Sequence, residues 1–326
     1  MRGNSVLAKH HRVGIAEWTT RVVDERTRSV ETLFAYLKRY YDGVEMDVDK
    51  SVALTTLFPD DAPKTSVVRQ SRRAAEREGL QVFGSTFLVT HEEMRQLNWE
   101  RLLKDRIRLN QDLGGQYASF QLFLHPDYMG TGGSYRRDEF YLRECADKVN
   151  TIREMTWDLG LNFYVETHTD RISEDPQAFK RIQEMATSEV TGDLSHYLYR
   201  GITKGDDIDM IVSRMGHTHV RMCRVHGDLS VHVDDMKSDW HAWDEKKNEY
   251  CGVTWRMFQL MKRGLKGGLS SRAIIGESGG MHLVTDSLST DVALVPLYRA
   301  LANYADMQVQ GIELKVESPE DLNPWG

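Results

Sequence analysis

Four short stretches of this chain end on side chains that bind metals or move protons. Asn162-Phe-Tyr-Val-Glu-Thr-His168 carries Glu166 and His168, and Val190-Thr-Gly-Asp193-Leu-Ser-His196 carries Asp193 and His196. Met215-Gly-His217-Thr-His219 and Ala273-Ile-Ile-Gly-Glu277 follow the same form. Each is a brief strand-like run that stops on Glu, Asp or His. Side chains alternate faces along a strand, so Glu166 and His168 are expected on one surface. A single carboxylate in such a place also caps a following helix. Three carboxylates and one histidine at successive strand ends are better accounted for as one divalent-metal site with Glu166, Asp193, His219 and Glu277 as oxygen and nitrogen ligands. Such a set suits Mn²⁺, Mg²⁺, Fe²⁺ or Co²⁺ better than a thiolate-seeking metal, with Zn²⁺ also compatible.

The elements that must position these residues alternate regularly. Strands are predicted at 13–18, 44–47, 80–86, 117–124, 162–168 and near 189, 216 and 272. Helices are predicted at 27–41, 66–78, 91–113, 137–159, 175–187, 206–214, 253–264 and 290–305. Eight strands, mostly separated by one helix each and with polar residues at their C-terminal ends, predict a closed (β/α)₈ TIM barrel with its site at the top face. A doubly wound open sheet is disfavoured because no GxGxxG or P-loop glycine pattern follows any strand. The tract at about 228–250, polar and bearing Trp240 and Trp243, reads as a long insertion after strand seven. It is expected to act as a lid or subunit contact, or to be a surface loop whose tryptophans pack on the barrel.

With 326 residues and no compositional break, the chain is expected to form one barrel domain over 1–326. Its net charge of −7 argues against affinity for nucleic acid, and no apolar run reaches membrane-spanning length. Cys145, Cys223 and Cys251 are widely spaced, with no CxxC. Together with the absence of an apolar leader segment, they point to a reducing, cytoplasmic setting without a disulfide framework.

The ordered set Val165-Glu-Thr-His168, Gly192-Asp-Leu-Ser-His196, Gly216-His-Thr-His219 and Ile274-Ile-Gly-Glu-Ser-Gly-Gly280 resembles the xylose isomerase-like barrel superfamily from about Val13 to Ala305. That group includes ketose 3-epimerases, inosose dehydratase, abasic-site nucleases of the endonuclease IV type and C-glycoside deglycosidase large subunits. The resemblance makes Glu166, Asp193, His219 and Glu277 the metal ligands, with Glu166 and Glu277 also the proton-transfer pair on opposite faces of the substrate. It makes His196 a holder of a substrate hydroxyl. A basic residue just after the histidine, Arg221 or Arg224, is expected on a substrate oxygen, and Arg221 shares the parity of His219. His168 is expected to orient a substrate oxygen or act as a base, or else to support the ligands by hydrogen bonding. Trp18 is a candidate wall for a sugar face. Glu17 and Glu45, near the ends of the first strands, are expected to cap rather than to line the pocket.

The implied activity is isomerisation or epimerisation of a sugar or polyol through an enediolate, formed by proton abstraction next to a metal-bound carbonyl. The alternative is β-elimination on a keto-sugar, keto-inositol or 3-oxo-glycoside. The expected partners are a small sugar-like substrate and either further copies of the chain or a small subunit. A histidine that the nuclease branch carries after strand three is replaced by Gly84-Ser-Thr-Phe87, which weakens DNA repair as a candidate. A catalytically silent barrel serving as a scaffold is the reading from a different class, and stoichiometric metal content discriminates it.

Overall fold

The computed structural model describes residues 10–20, 24–48, 63–202, 205–221, 233–277 and 287–325. Eight parallel strands close into a barrel. They are β1 (Arg12–Ala16), β2 (Gly43–Met46), β3 (Gln81–Val89), β4 (Tyr117–Leu122), β5 (Asn162–Glu166), β6 (Glu189–Gly192), β7 (Met215–Val220) and β10 (Ala273–Gly276). Around the ring the order is β1-β10-β7-β6-β5-β4-β3-β2. Two short strands, β8 (Trp243–Asp244) and β9 (Glu249–Tyr250), pair antiparallel outside it.

Among the described residues the helices are α1 (Val30–Leu37), α2 (Lys64–Glu78), α3 (His91–Met94), α4 (Trp99–Leu113), α5 (Glu139–Asp158), α6 (Pro176–Met185), α7 (Ser195–Tyr199), α8 (Asp206–Ser213), α9 (Val233–Trp240), α10 (Val253–Leu265) and α11 (Ser287–Val309). The predicted βα alternation therefore stands, with the unpredicted α7, α9 and β8–β9 hairpin added and two boundaries changed. The single helix expected over 91–113 is two, because Thr90 and Glu93 close a capping box around the short α3 and the chain turns before Trp99. The strand expected to reach His168 stops at Glu166, and His168 is held in a turn where its backbone N–H donates to Ser173 Oγ at 3.0 Å.

Alternation along the strands builds two cores. Outward-facing Phe87, Phe120, Val165 and Ile274 bury against the helices, where each large side chain removed from water stabilises the fold by about 1.5–3 kcal/mol. Inward-facing Ala16, Phe83, Tyr117, Tyr164, Ala273 and Ile275 fill the barrel's lower interior. Space there is tight. A Cβ at Gly14 or Gly43 would lie 2.6 Å from the Phe83 ring, so glycine on β1 and β2 makes room for the aromatic plug from β3.

The far part of the insertion packs on the outer layer. Trp240, fully buried, sits edge-on to Trp255 at 5.2 Å and beside Phe258 at 5.7 Å, and its indole N–H donates to Pro319 O at 3.1 Å. This tryptophan is part of the packing of α10 and the C-terminal segment. Trp243 remains 46% exposed on the hairpin. The start of the insertion, 228–232, lies outside the described residues.

Candidate functional site

The site is organised around β7. His217, His219 and Arg221 recur at every second position, so all three reach toward the barrel axis at rising height. β5 ends on Glu166, and β10 is followed by Glu277, whose backbone N–H donates to Val220 O at 3.0 Å and so extends the ladder by one residue. In the ring, β10 adjoins β7 directly while β5 lies two strands away on the other side. The two glutamates therefore approach His219 from different sides. Glu277 Oε2 is 3.1 Å and Glu166 Oε1 3.7 Å from His219 Nδ1, and the three residues offer ligand atoms within 4.8 Å of one another.

Asp193, the first residue after β6, is anchored by Ser195, whose hydroxyl and backbone N–H both donate to Oδ1. Its other oxygen, Oδ2, lies 3.0 Å from Arg221 Nη2 and 3.2 Å from His196 Nε2. Arg221 Nη2 also donates to Glu277 Oε1 at 2.6 Å, so the guanidinium ties Asp193 to the glutamate and histidine cluster. Trp18, in the turn after β1, donates its indole N–H to that same oxygen at 3.0 Å. On the other side Gln121 Nε2 donates to Glu166 Oε1 at 2.8 Å, and Arg171 Nη2 holds Gln121 Oε1 at 3.1 Å.

These contacts leave a common remainder. Glu166 Oε2, Asp193 Oδ2, His219 Nδ1 and Glu277 Oε2 are buried and outside hydrogen-bond geometry, although Asp193 Oδ2 is ion-paired to Arg221 and Glu277 Oε2 faces His219 Nδ1 at 3.1 Å. A buried polar atom left so costs about 1–3 kcal/mol, and more when it is charged. Glu166, His219 and Glu277 form a group that could hold a divalent cation with oxygen and nitrogen donors, whereas Asp193, the fourth residue expected as a ligand, is paired to Arg221 and His196.

The electrostatics carry the same signature. Burial raises the Glu166 carboxyl, and the nearby Glu277 and Asp193 add to that rise against the pull of His219. Burial is the largest influence on Glu277 and Asp193 and works against their ionisation, yet Arg221 together with His219 at Glu277, and with His196 and Ser195 at Asp193, holds both below the usual carboxylate range. For His219, burial disfavours the charged ring but Glu45 and Glu166 together raise it well above the ordinary imidazole value. Three carboxylates facing one guanidinium leave excess negative charge in a dry site, which a protonated His219 offsets in part and a cation could offset in its place.

Of the other residues singled out from sequence, His168 and His196 stack with ring centroids 3.9 Å apart, which places His168 beside the site through its neighbour. His168 Nδ1 meets Thr169 O at 2.7 Å, and burial, with His196 and Arg171 nearby, pushes its pKa down to about 3. His168 is therefore neutral at physiological pH. Arg224 lies outside the described residues.

Sequence reasoning misplaced one residue and passed over others. Glu45 does not cap a helix; it lies fully buried beneath His219, between both histidines of β7. The available signals were a charge amid the apolar β2 and a second histidine at i−2 in Gly216-His-Thr-His219. Gln121 shares the inward parity of Tyr117 on β4, and nothing in its sequence context marked it as the partner of Glu166.

The fold and site together define a (β/α)₈ barrel carrying a cluster able to hold a cation at its C-terminal mouth. No family model matches the chain, and no curated protein matches it. Solved structures do. A D-allulose 3-epimerase from Methylomonas sp. aligns over 94% of this chain and 98% of its own at a TM-score of 0.53 and 13% identity. The 3-keto-D-glucoside 4-epimerase of E. coli aligns over 89% and 99% at 0.55 and 13%. A mannonate dehydratase from Streptococcus suis aligns over 95% and 99% at 0.54 and 13%. These are two sugar epimerases and a dehydratase, and at this identity the likeness is one of fold. Among the described residues no helix is long and apolar enough to cross a membrane.

Proposed function

We propose that the chain is a divalent-cation-dependent enzyme, with Mn²⁺ the first choice, that moves a proton on the carbon beside the carbonyl of a sugar or related polyol, giving an epimer or isomer. The observation that supports this best is the approach of Glu166 and Glu277 to His219 from different sides, which brings ligand atoms of all three within 4.8 Å of one another. Glu166, Asp193, His219 and Glu277 hold the ion in this reading. When bound, it supplies Lewis acidity that stabilises negative charge developing on a substrate oxygen.

The chain's own groups then divide the work. Glu277, its Oε1 held by Trp18 and Arg221, presents Oε2 to accept a proton. Glu166, its Oε1 held by Gln121, presents Oε2 from the other side and returns a proton to the opposite face. Reversal of these roles inverts the same carbon in the other direction. His196 and Arg221 bind substrate hydroxyls, and Trp18, edge-on to His219 at 5.9 Å, offers a ring to the sugar's apolar face.

A second reading keeps the first proton abstraction and ends in loss of a β-substituent. His196, next to Asp193, is placed to protonate a departing oxygen, and a dehydratase is among the structures of like fold.

Solvent deuterium exchange into a panel of ketoses, inososes and 3-oxo-glycosides, with Mn²⁺ added, tests both. Exchange with recovery of an isomer supports the first reading, and release of water or an aglycone supports the second. A purified chain that binds no divalent metal and exchanges no substrate proton overturns both and leaves a scaffold.

A further inference from the structure

Glu45 is fully buried at the middle of the barrel and accepts four hydrogen bonds. Its Oε1 accepts from Thr86 Oγ1 at 2.5 Å and His219 Nε2 at 3.1 Å; its Oε2 accepts from Tyr117 Oη at 2.6 Å and His217 Nε2 at 2.9 Å. Four donors fill the lone-pair directions of one carboxylate. That argues against Glu45, His217 and His219 as a second metal site, although their donor atoms are mutually close. It has a further consequence. A carboxylate oxygen with these partners only accepts, so Nε2 of His219 must carry a hydrogen, and in the neutral ring that a cation requires the lone pair is left to Nδ1, the atom that points at Glu166 and Glu277. His217 is set in the same way: with Nε2–H given to Glu45, its Nδ1 accepts from Ser271 Oγ at 3.0 Å.

We propose that Glu45 is the positioning residue of the site. It fixes the tautomer and ring orientation of His219 so that Nδ1 is the ligand atom, and it is itself fixed by Tyr117, Thr86 and His217. This inference rests on the cation reading given above. Carboxylate–histidine–metal arrangements of this kind orient the ring, and losing the outer partner costs about 10–100-fold in metal affinity.

Two measurements test it. In the Zn²⁺-loaded wild-type protein with ¹⁵N-labelled histidine, long-range ¹H–¹⁵N spectra are expected to give His219 a proton on Nε2 and a metal-shifted Nδ1. A His219 signal with the proton on Nδ1 would overturn the proposal without recourse to any variant. In Glu45→Gln, Mn²⁺ titration of the folded protein is expected to give a Kd raised about 10–100-fold, with the His219 signals broadened or moved. Unchanged affinity together with unchanged His219 signals would overturn it equally, and a purely packing role predicts that result, with only Tm altered. A wild-type chain that binds neither ion refutes the cation reading itself, whereas a wild type that binds and a Glu45→Gln variant that binds as tightly refute the role of Glu45 alone.

Discussion

The indole N–H of Trp18 donates to Glu277 Oε1 across 3.0 Å, and this bond joins the turn after the first barrel strand to the residue after the last. Trp18 thereby serves closure of the ring and orientation of a candidate catalytic carboxylate with one atom. Trp18→Phe retains an aromatic ring and deletes the donor. The expected outcome is a folded protein less stable by about 1.5–3 kcal/mol, the usual scale for a hydrogen bond to a charged group. Chemical denaturation of the metal-free protein measures it, and an unchanged midpoint would mean that Arg221 alone fixes Glu277.

Glu166 stands in a dry site whose other carboxylates oppose its ionisation. Glu166→Gln removes that conflict while keeping the acceptor for Gln121. The metal-free variant is expected to be at least as stable as the parent. The parent should gain about 2.7 kcal/mol when the ion is supplied at 100 times its Kd, and the variant should gain almost none. Thermal melts with and without Mn²⁺ decide this; an equal gain in both proteins would remove Glu166 from the ligand set.

At the opposite end of the barrel, buried His11 is held as a neutral ring. Its Nδ1 meets Asp306 Oδ1 at 2.7 Å and its Nε2 accepts from Leu269 N–H at 3.0 Å. Burial, the largest influence, lowers its pKa despite the neighbouring Asp306. The unfolded chain therefore binds a proton near pH 6.5 that the folded one refuses. The stability His11 contributes is complete above that pH and is lost as pH falls toward the folded value, with a slope that cannot exceed about 1.4 kcal/mol per pH unit. Denaturant midpoints between pH 7.5 and 5 should fall less steeply in His11→Gln, and parallel profiles would show that His11 does not contribute.

Trp240 has its large ring wholly enclosed by Trp255, Phe258 and Trp325. Trp240→Ala is expected to destabilise the protein by about 3–5 kcal/mol through lost burial and the cavity left behind. If equilibrium unfolding registered less than about 1 kcal/mol, the segment from α9 to the hairpin would not be integral to the fold.

Much of this architecture was legible in the order of residues. Helical and strand periodicities are local, and the barrel needs only their alternation, so the strands fall where apolar runs meet glycine or polar breaks. The convergence of Glu166, Asp193, His219 and Glu277 was legible for the same reason: each stands at or just beyond the C-terminal end of a strand, and strands of one closed parallel sheet end at one mouth. Boundaries set by side chains reaching back onto the backbone were less so, as the capping box at Thr90 and Glu93 illustrates. The role of Glu45 was legible only in part: the charge amid the apolar β2 and the paired histidines of β7 stand in the sequence, but nothing local joins residues more than 170 positions apart.

By itself, the sequence determined which residue types stand at strand ends and which face each presents, because parity along a strand is a covalent property of the backbone. The tertiary structure decided how those groups meet. Closure of the ring set β5 and β10 on either side of β7, placed Arg221 between Asp193 and Glu277, and slid Glu45 beneath His219. Those meetings depend on distances across the barrel, which only the packing of its interior establishes.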